Sequence, residues 1–204
     1  MSADNISIND FDTKKFFAIL FSGVIYMGAW HTRGLRGSVL EDSINFTNEY
    51  YRQHNIAVIQ KIPTPITPVE MNKENSTITL AYFDKQSTVD YIGAVQGIPI
   101  CFDAKEAAQN RLPLQNIHEH QVLFMEDFAK QGGISFLLVN FTSLNEFYLL
   151  PLEVLKKFWY EAQKGGRKSI PYSAFEKRYE ISLKNGAMLN YLDAVNVYLA
   201  EFDE

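Results

Sequence analysis

Cysteine is nearly absent from this sequence, with Cys101 the single example in 204 residues. One thiol permits no intrachain disulfide, which excludes a stapled secreted scaffold and points to a reducing cytoplasm. A cysteine-rich structural zinc site is excluded with it. Long apolar runs are missing too. The one membrane-like stretch, residues 16–30, falls short of the ~20 residues a spanning helix needs. Positive charge is in deficit, with 19 Lys and Arg against 24 Asp and Glu and a net charge of −5. That balance weighs against a protein that coats nucleic acid through bulk electrostatics. Internal repeats and low-complexity tracts are absent, so arrays and solenoids are excluded. What remains is 47% hydrophobic and 14% aromatic. Such a chain builds its own core, at the length of one ordinary domain of roughly 100–200 residues.

The apolar stretch at 16–30 follows Lys14 and Lys15 but has Asp4, Asp10 and Asp12 upstream and no small-residue cleavage site after it, unlike a signal peptide. A membrane role is not expected. Residues 1–26 read as an extension, with Met27 as the expected translation start and 27–204 as the working unit. Ser38-Val39-Leu40-Glu41 is a capping box. Leu40, Ile44, Thr47 and Tyr51 follow at helical spacing, which predicts a helix over 38–54. Ile56–Ile62 reads as a strand. Pro63, Pro65 and Pro68 then bar a central strand, and residues 63–80 read as a projecting arm that returns along Thr77–Phe83. Thr88–Val95 and Ile98–Lys105 are strands around Gln96-Gly97. A helix over 117–131 stops at Gly132-Gly133, Ile134–Phe141 is a strand buried on both faces, and Glu146–Leu150 is another. Pro151 opens a helix running to Gly165-Gly166, and a last helix uses Leu189, Leu192, Val195 and Leu199. This order describes an α/β or α+β domain around one mixed sheet.

The chemistry-bearing residues fall on one hairpin. With Gln96-Gly97 as a two-residue loop, cross-strand partners sum to 193, and Asp90 lies opposite Asp103. Alternation puts Asp103 and Lys105 on one face, with Ile100, Phe102 and Ala104 turned to the core on the other. Like charges directly opposite destabilise a pair of strands by up to ~1 kcal/mol. A divalent cation removes that penalty, and one or two carboxylates with water ligands suit Mg2+. Bound Mg2+ activates water and stabilises a phosphoryl oxygen, while Lys105 offsets developing charge. The plainer alternative on spacing alone is a turn aspartate at 90 and a solvated Lys105–Asp103 or Lys105–Glu106 pair.

Asp90 with Asp103-Ala104-Lys105 forms a D…(D/E)-x-K arrangement, similar to restriction-endonuclease-like nucleases. Around it stand Arg33-Gly34-Leu35-Arg36-Gly37, Leu40-Glu41-Asp42, Ala57 to Pro65, Ser87 to Tyr91, Phe102 to Glu106, Pro113 to Gln121, Gly132-Gly133-Ile134 and Gly165-Gly166-Arg167-Lys168-Ser169. Together, and in this order, they resemble the RecU family of Holliday junction resolvases from about Met27 to about residue 200. The resemblance implies a restriction-endonuclease-like mixed sheet flanked by helices, and a homodimer that nicks four-way DNA junctions symmetrically with Mg2+. It implies metal ligation by Thr88, Asp90, Asp103 and Gln121, and transition-state stabilisation by Lys105. It also implies a stalk at about 62–82 entering the junction, with Lys61 at its base. Arg33, Arg36, Lys61, Arg167 and Lys168 are the expected DNA-binding cations, and other recombination proteins the expected partners.

Three features depart from the family pattern. Asp103 stands where many members have Glu, the arm sets Lys73 against Glu70 and Glu74, and the 16–26 stretch is unusual. Two further readings therefore stand beside the resolvase: a catalytically impaired junction-binding accessory, and a duplex or flap nuclease of the same fold. His118 and His120, at i and i+2, are expected on different sides of a helix, in a capping or substrate-edge role. Glu41 reads as the capping-box partner, or as a carboxylate joining the metal site. Gly165 to Ser169 lacks the upstream glycine and preceding strand of a phosphate loop.

Overall fold

The computed structural model describes residues 39–83, 88–184 and 188–201. The readings for residues 1–26, Arg33, Arg36 and Ser38 lie outside the described residues.

The first helix, α1 (Val39–Gln53), buries Leu40, Ile44, Thr47, Asn48 and Tyr51, residues three and four apart. Its first turn carries Glu41 and Asp42 and its last turn Arg52, the charge order that suits the helix dipole. Strand β1 (Ala57–Lys61) follows, then the arm, a two-stranded hairpin of β2 (Ile66–Asn72) and β3 (Thr77–Phe83). Nearly every arm residue is exposed. Pro68 sits in it, paired with Ala81, beside a register irregularity, where a missing N–H is tolerated.

Strands β4 (Tyr91–Val95) and β5 (Ile98–Ala107) form the second hairpin. After a short strand β6 (Arg111–Pro113) come α2 (Glu119–Lys130), β7 (Ile134–Phe141), β8 (Glu146–Pro151) and α3 (Leu152–Gln163). The chain ends with β9 (Ser169–Pro171), β10 (Glu180–Ile181), β11 (Leu183–Lys184), β12 (Met188–Leu189) and α4 (Tyr191–Ala200). The central sheet has six strands in the order β1-β4-β5-β7-β8-β10. Its β5–β7 pair is parallel and its other pairs are antiparallel. The expected mixed sheet is therefore present, with helices flanking it.

The parallel pair requires a crossover, and α2 is that crossover. It brings Val122 and Met125 onto Cys101, Leu137 and Val139 in one core layer, with Leu152 and Leu155 of α3 in the same cluster. The opposite face holds a row of rings across three strands. Tyr91 stacks on Phe102 at 4.8 Å between centroids, and Phe102 on Phe136 at 4.9 Å. Tyr191 of α4 leans on Phe102 at 5.2 Å and meets Tyr51 of α1 edge-on at 5.5 Å. All eight residues of β7 are buried, as its apolar pattern requires.

Some elements depart from the sequence reading. Leu189 belongs to β12, and the last helix starts at Tyr191. Pro151 closes β8 and precedes the first helical residue, Leu152, as its N-cap. The antiparallel pair of β6 and β9, with β10 to β12, was not foreseen, since strands of two or three residues carry too few positions to show alternation.

Candidate active site

The second hairpin turns on Gln96 and Gly97, both with positive φ (48° and 92°). That is the backbone of a tight hairpin turn whose twist matches its strands. The register runs from Val95↔Ile98 to Tyr91↔Phe102, so the next step of the ladder sets Asp90 against Asp103. The two acids are tied through each other's backbone. Asp90 N–H donates to Asp103 Oδ1 at 3.1 Å, and Ala104 N–H donates to Asp90 Oδ2 at 2.9 Å. Each carboxylate thus accepts a backbone donor from the opposing strand, which offsets part of the repulsion between them.

Asp103 is fully buried and Lys105 half-buried, and their side chains form an ion pair. This corrects the sequence reading of β5. Phe102 does face the ring row, but the face of Asp103 is covered as well. The crossover helix α2 lies over it, and Gln121 of that helix donates from Nε2 to Asp103 Oδ1 at 2.8 Å. Burial pushes the Asp103 carboxyl up to about 7; Lys105 opposes the rise and Asp90 adds to it. A buried carboxylate that resists ionisation beside a second carboxylate is a group that gains from a cation.

Gln121 is held from both ends, because its Oε1 accepts the His118 N–H at 3.0 Å. That residue is the N-cap of α2, with extended backbone at φ −94° and ψ 146°. This corrects the expectation that His118 and His120 point apart. His118 lies outside the helix, so helical spacing does not govern it, and the two imidazoles stack at 5.4 Å. The expected capping role for His118 is observed.

Thr88 is half-buried, two residues before Asp90. Among the described residues no three His, Cys, Asp or Glu side chains gather as a metal cluster. The donors that do converge are the carboxylates of Asp90 and Asp103 with the Gln121 amide. An oxygen-rich set with two carboxylates fits a hard divalent cation that keeps several waters.

The expected DNA-binding cations are more scattered. Lys61 ends β1 and pairs with Glu41 Oε2 at 2.8 Å. Arg167 and Lys168 are exposed. Arg167 Nε donates to Ser169 Oγ at 3.2 Å, and the Lys168 carbonyl accepts the Leu114 N–H at 3.2 Å. That second bond ties their loop to the segment leading into α2. Two contacts went unforeseen. Ile62 N–H donates to the Asp90 carbonyl at 2.8 Å, and Glu106 Oε1 accepts the Leu40 N–H in the first turn of α1 at 3.4 Å. The second satisfies a backbone donor in the first turn of α1. Glu106 follows Lys105 directly, but nothing in a linear sequence marks it as a helix cap 66 residues away.

A mixed sheet thus carries two acidic residues and a lysine on its central hairpin, under a crossover helix that supplies an amide. The family model described as Recombination protein U matches residues 35–197. The chain belongs to that family, RecU. A protein of Pediococcus pentosaceus named Holliday junction resolvase RecU is 44% identical over 168 residues, covering 80% of this chain and 84% of its own. Relatives of the same name from a Geobacillus species and Lactococcus lactis are 43% and 46% identical, covering 79% and 80% of this chain and 83% and 78% of theirs. Among solved structures, Archaeoglobus fulgidus Hjc, a Holliday junction resolvase from an archaeal hyperthermophile, matches with a TM-score of 0.39 and 11% identity. It covers 66% of this chain and 84% of its own, an overlap too loose to place residues.

Proposed function

We propose that this protein is a Mg2+-dependent Holliday junction resolvase that nicks four-way DNA symmetrically as a homodimer in recombination and repair. The reading is carried by one observation: Asp90, Asp103 and Lys105 converge beneath α2 in a chain of the RecU family. Asp90 and Asp103 would hold the cation, with Thr88 and the Gln121 amide completing its protein ligands. Bound there, Mg2+ supplies a polarised water and a counter-charge for the phosphoryl oxygens.

The chain's own groups do the rest. Asp90 and Asp103 are fixed by each other's backbone, so the reacting phosphate meets a preset pair of oxygens. Lys105, already against Asp103, stands ready for negative charge growing on the phosphorus oxygens. Gln121 holds the Asp103 carboxylate in place and is itself held by His118. The β2–β3 hairpin is the stalk that enters the junction, and Lys61, Arg167 and Lys168, with Arg33 and Arg36, contact phosphates. A two-fold junction suits two identical sites in a symmetric dimer. Cytoplasmic residence follows from that substrate.

The experiment is cleavage of a labelled mobile four-way junction beside a linear duplex of the same sequence, with Mg2+, with chelator and with Asp90→Ala. Paired symmetric nicks in the junction alone, absent in both controls, are expected. Equal cutting of the duplex would leave a nuclease without resolvase selectivity. Tight junction binding without cuts would favour the accessory reading, for which the shorter Asp103 carboxylate is the motivating feature.

A further inference from the structure

The stalk is rooted on the active site at its outgoing end. Its outgoing arm leaves β1 at Lys61, and the next residue, Ile62, donates its N–H to the Asp90 carbonyl at 2.8 Å. In the ladder Lys61 pairs with Tyr91, the neighbour of Asp90. On the return, β3 ends at Phe83, and Thr88 and Asp90 follow within seven residues. A displacement of the stalk relative to the sheet therefore reaches Asp90 through one peptide on the outgoing side.

One side-chain contact fastens this root to a rigid element. Lys61 Nζ meets Glu41 Oε2 at 2.8 Å, and Glu41 lies in the first turn of α1. That helix is anchored: Leu40 and Ile44 are buried, and Glu106, two residues beyond Ala104, holds the Leu40 N–H. Asn45, four residues further along α1, accepts the Tyr91 hydroxyl through Oδ1 at 3.0 Å. The helix start, the stalk root and the entry to β4 beside Asp90 thus meet at one corner.

We propose that Glu41 is a positioning residue for cleavage: through Lys61 it holds the stalk root against Asp90, so that junction binding on the stalk sets the catalytic carboxylate. The proposal rests on the nuclease reading above. Lys61 in this view does two jobs in turn, since its half-exposed ammonium, paired with Glu41 in the free protein, also faces solvent where a phosphate would arrive. Glu41 is thereby distinguished both from a simple capping partner and from a metal ligand.

The test uses the full chain with Glu41→Gln, Lys61→Gln and the exchanged pair Glu41→Lys/Lys61→Glu. Three quantities are read: hydrogen exchange of the Ile62 amide in metal-free protein, junction affinity with Ca2+, and single-turnover cleavage with Mg2+ at saturating protein. In Glu41→Gln, Ile62 protection is expected to fall about 2–5-fold, the range of a partly exposed ion pair. Single-turnover cleavage is expected to fall about tenfold, as for the loss of an outer contact on a metal site, with junction affinity within about twofold of the wild type. The exchanged pair is expected to recover Ile62 protection, with junction affinity lowered by loss of the Lys61 phosphate contact. An exchanged pair whose Ile62 amide is no better protected than in Glu41→Gln would overturn the proposal, since Glu41 would then act without Lys61. So would a Glu41→Gln defect that appears in affinity with an unchanged rate. A wild-type chain that leaves junctions uncut overturns the nuclease reading and carries this one with it. An active wild type with an Ile62 amide indifferent to Glu41→Gln overturns the positioning role alone.

Discussion

Asp103→Asn isolates the consequence of burying an ionisable carboxyl beneath α2. In the unfolded chain this group titrates near its ordinary 3.8, and in the folded, metal-free protein burial lifts it to about 7. The folded state therefore binds the proton more tightly, so stability from this group is fully present below about 4 and is lost as pH rises to about 7. At about 1.4 kcal/mol per tenfold change in proton affinity, the whole swing is about 4 kcal/mol. Asp103 is completely buried, so solvent does not screen that figure away. Asparagine carries no charge, and its own cost, an amide N–H2 brought against Lys105, does not titrate. The stability difference between Asp103→Asn and wild type should therefore move in the variant's favour by about 1.4 kcal/mol per pH unit from pH 5 to 7, then level off. Urea unfolding with chelator at half-unit pH intervals reads this directly, because other titrating groups cancel in the difference. Saturating Mg2+ should stabilise the wild type most at high pH, where the ligand carboxylates are ionised. A difference that is flat from pH 5 to 8 would refute the claim that Asp103 is held protonated by burial.

Further outcomes follow from neighbouring contacts. Gly93→Ala would place a Cβ 2.2 Å from the Val58 carbonyl oxygen and 2.6 Å from Ile59 Cα. Strand β1 must then shift, which should cost about 1–3 kcal/mol in thermal unfolding and loosen the stalk root that β1 carries. Gln121→Leu removes the donor to Asp103 Oδ1 and the acceptor for His118 N–H; titration calorimetry should show metal affinity reduced by about 10–100-fold. An undiminished affinity would mean that the amide neither ligates nor orients. Junction affinity should fall with salt at a log–log slope near 0.9 per phosphate contact, and Lys168→Gln should lower that slope by about one contact's worth; a slope near zero in the wild type would exclude phosphate binding by the exposed cations.

The hairpin was legible because its information is local. Gln96-Gly97 dictates a two-residue turn, the turn dictates the register, and the register brings Asp90 to Asp103 with nothing else required. The cover over Asp103 was not legible. Alternation along β5 tells which residues share a face, but it does not tell what lies upon that face. That depends on the parallel β5–β7 pairing, which forces α2 to cross over the sheet and lands Gln121 on the carboxylate. Before the crossover is known, Gln121 is only a polar residue near a helix start, and it became a candidate through family resemblance rather than through its spacing. His118 misled for a related reason, since the i, i+2 argument assumes both residues are helical and the helix begins at Glu119. The Glu41–Lys61 pair spans 20 residues and joins two elements, α1 and β1. Either residue alone has a plainer role, as a cap or a phosphate contact, and only their juxtaposition suggests coupling.

Two carboxylates facing each other across a hairpin would be expected to loosen the very strands that carry them, and the ring row on the other face explains why they do not. Asp90 is followed by Tyr91 and Asp103 is preceded by Phe102, so alternation turns each acid toward α2 while its neighbour joins the row. Tyr91 and Phe102 are direct cross-strand partners, as are Phe102 and Phe136. Their two stacked contacts contribute about 0.5–1.5 kcal/mol each beyond burial, and burying rings of this kind adds about 1.5–3 kcal/mol apiece. Repulsion between facing charges on a strand pair reaches only ~1 kcal/mol, and even the larger burial penalty on Asp103 applies to a single ionised group. The register that brings the acids together is therefore enforced by apolar packing behind them. Under the proposed function, a cation binding between them would meet a site already assembled and would act on the charge of the carboxylates, with their placement left to the rings.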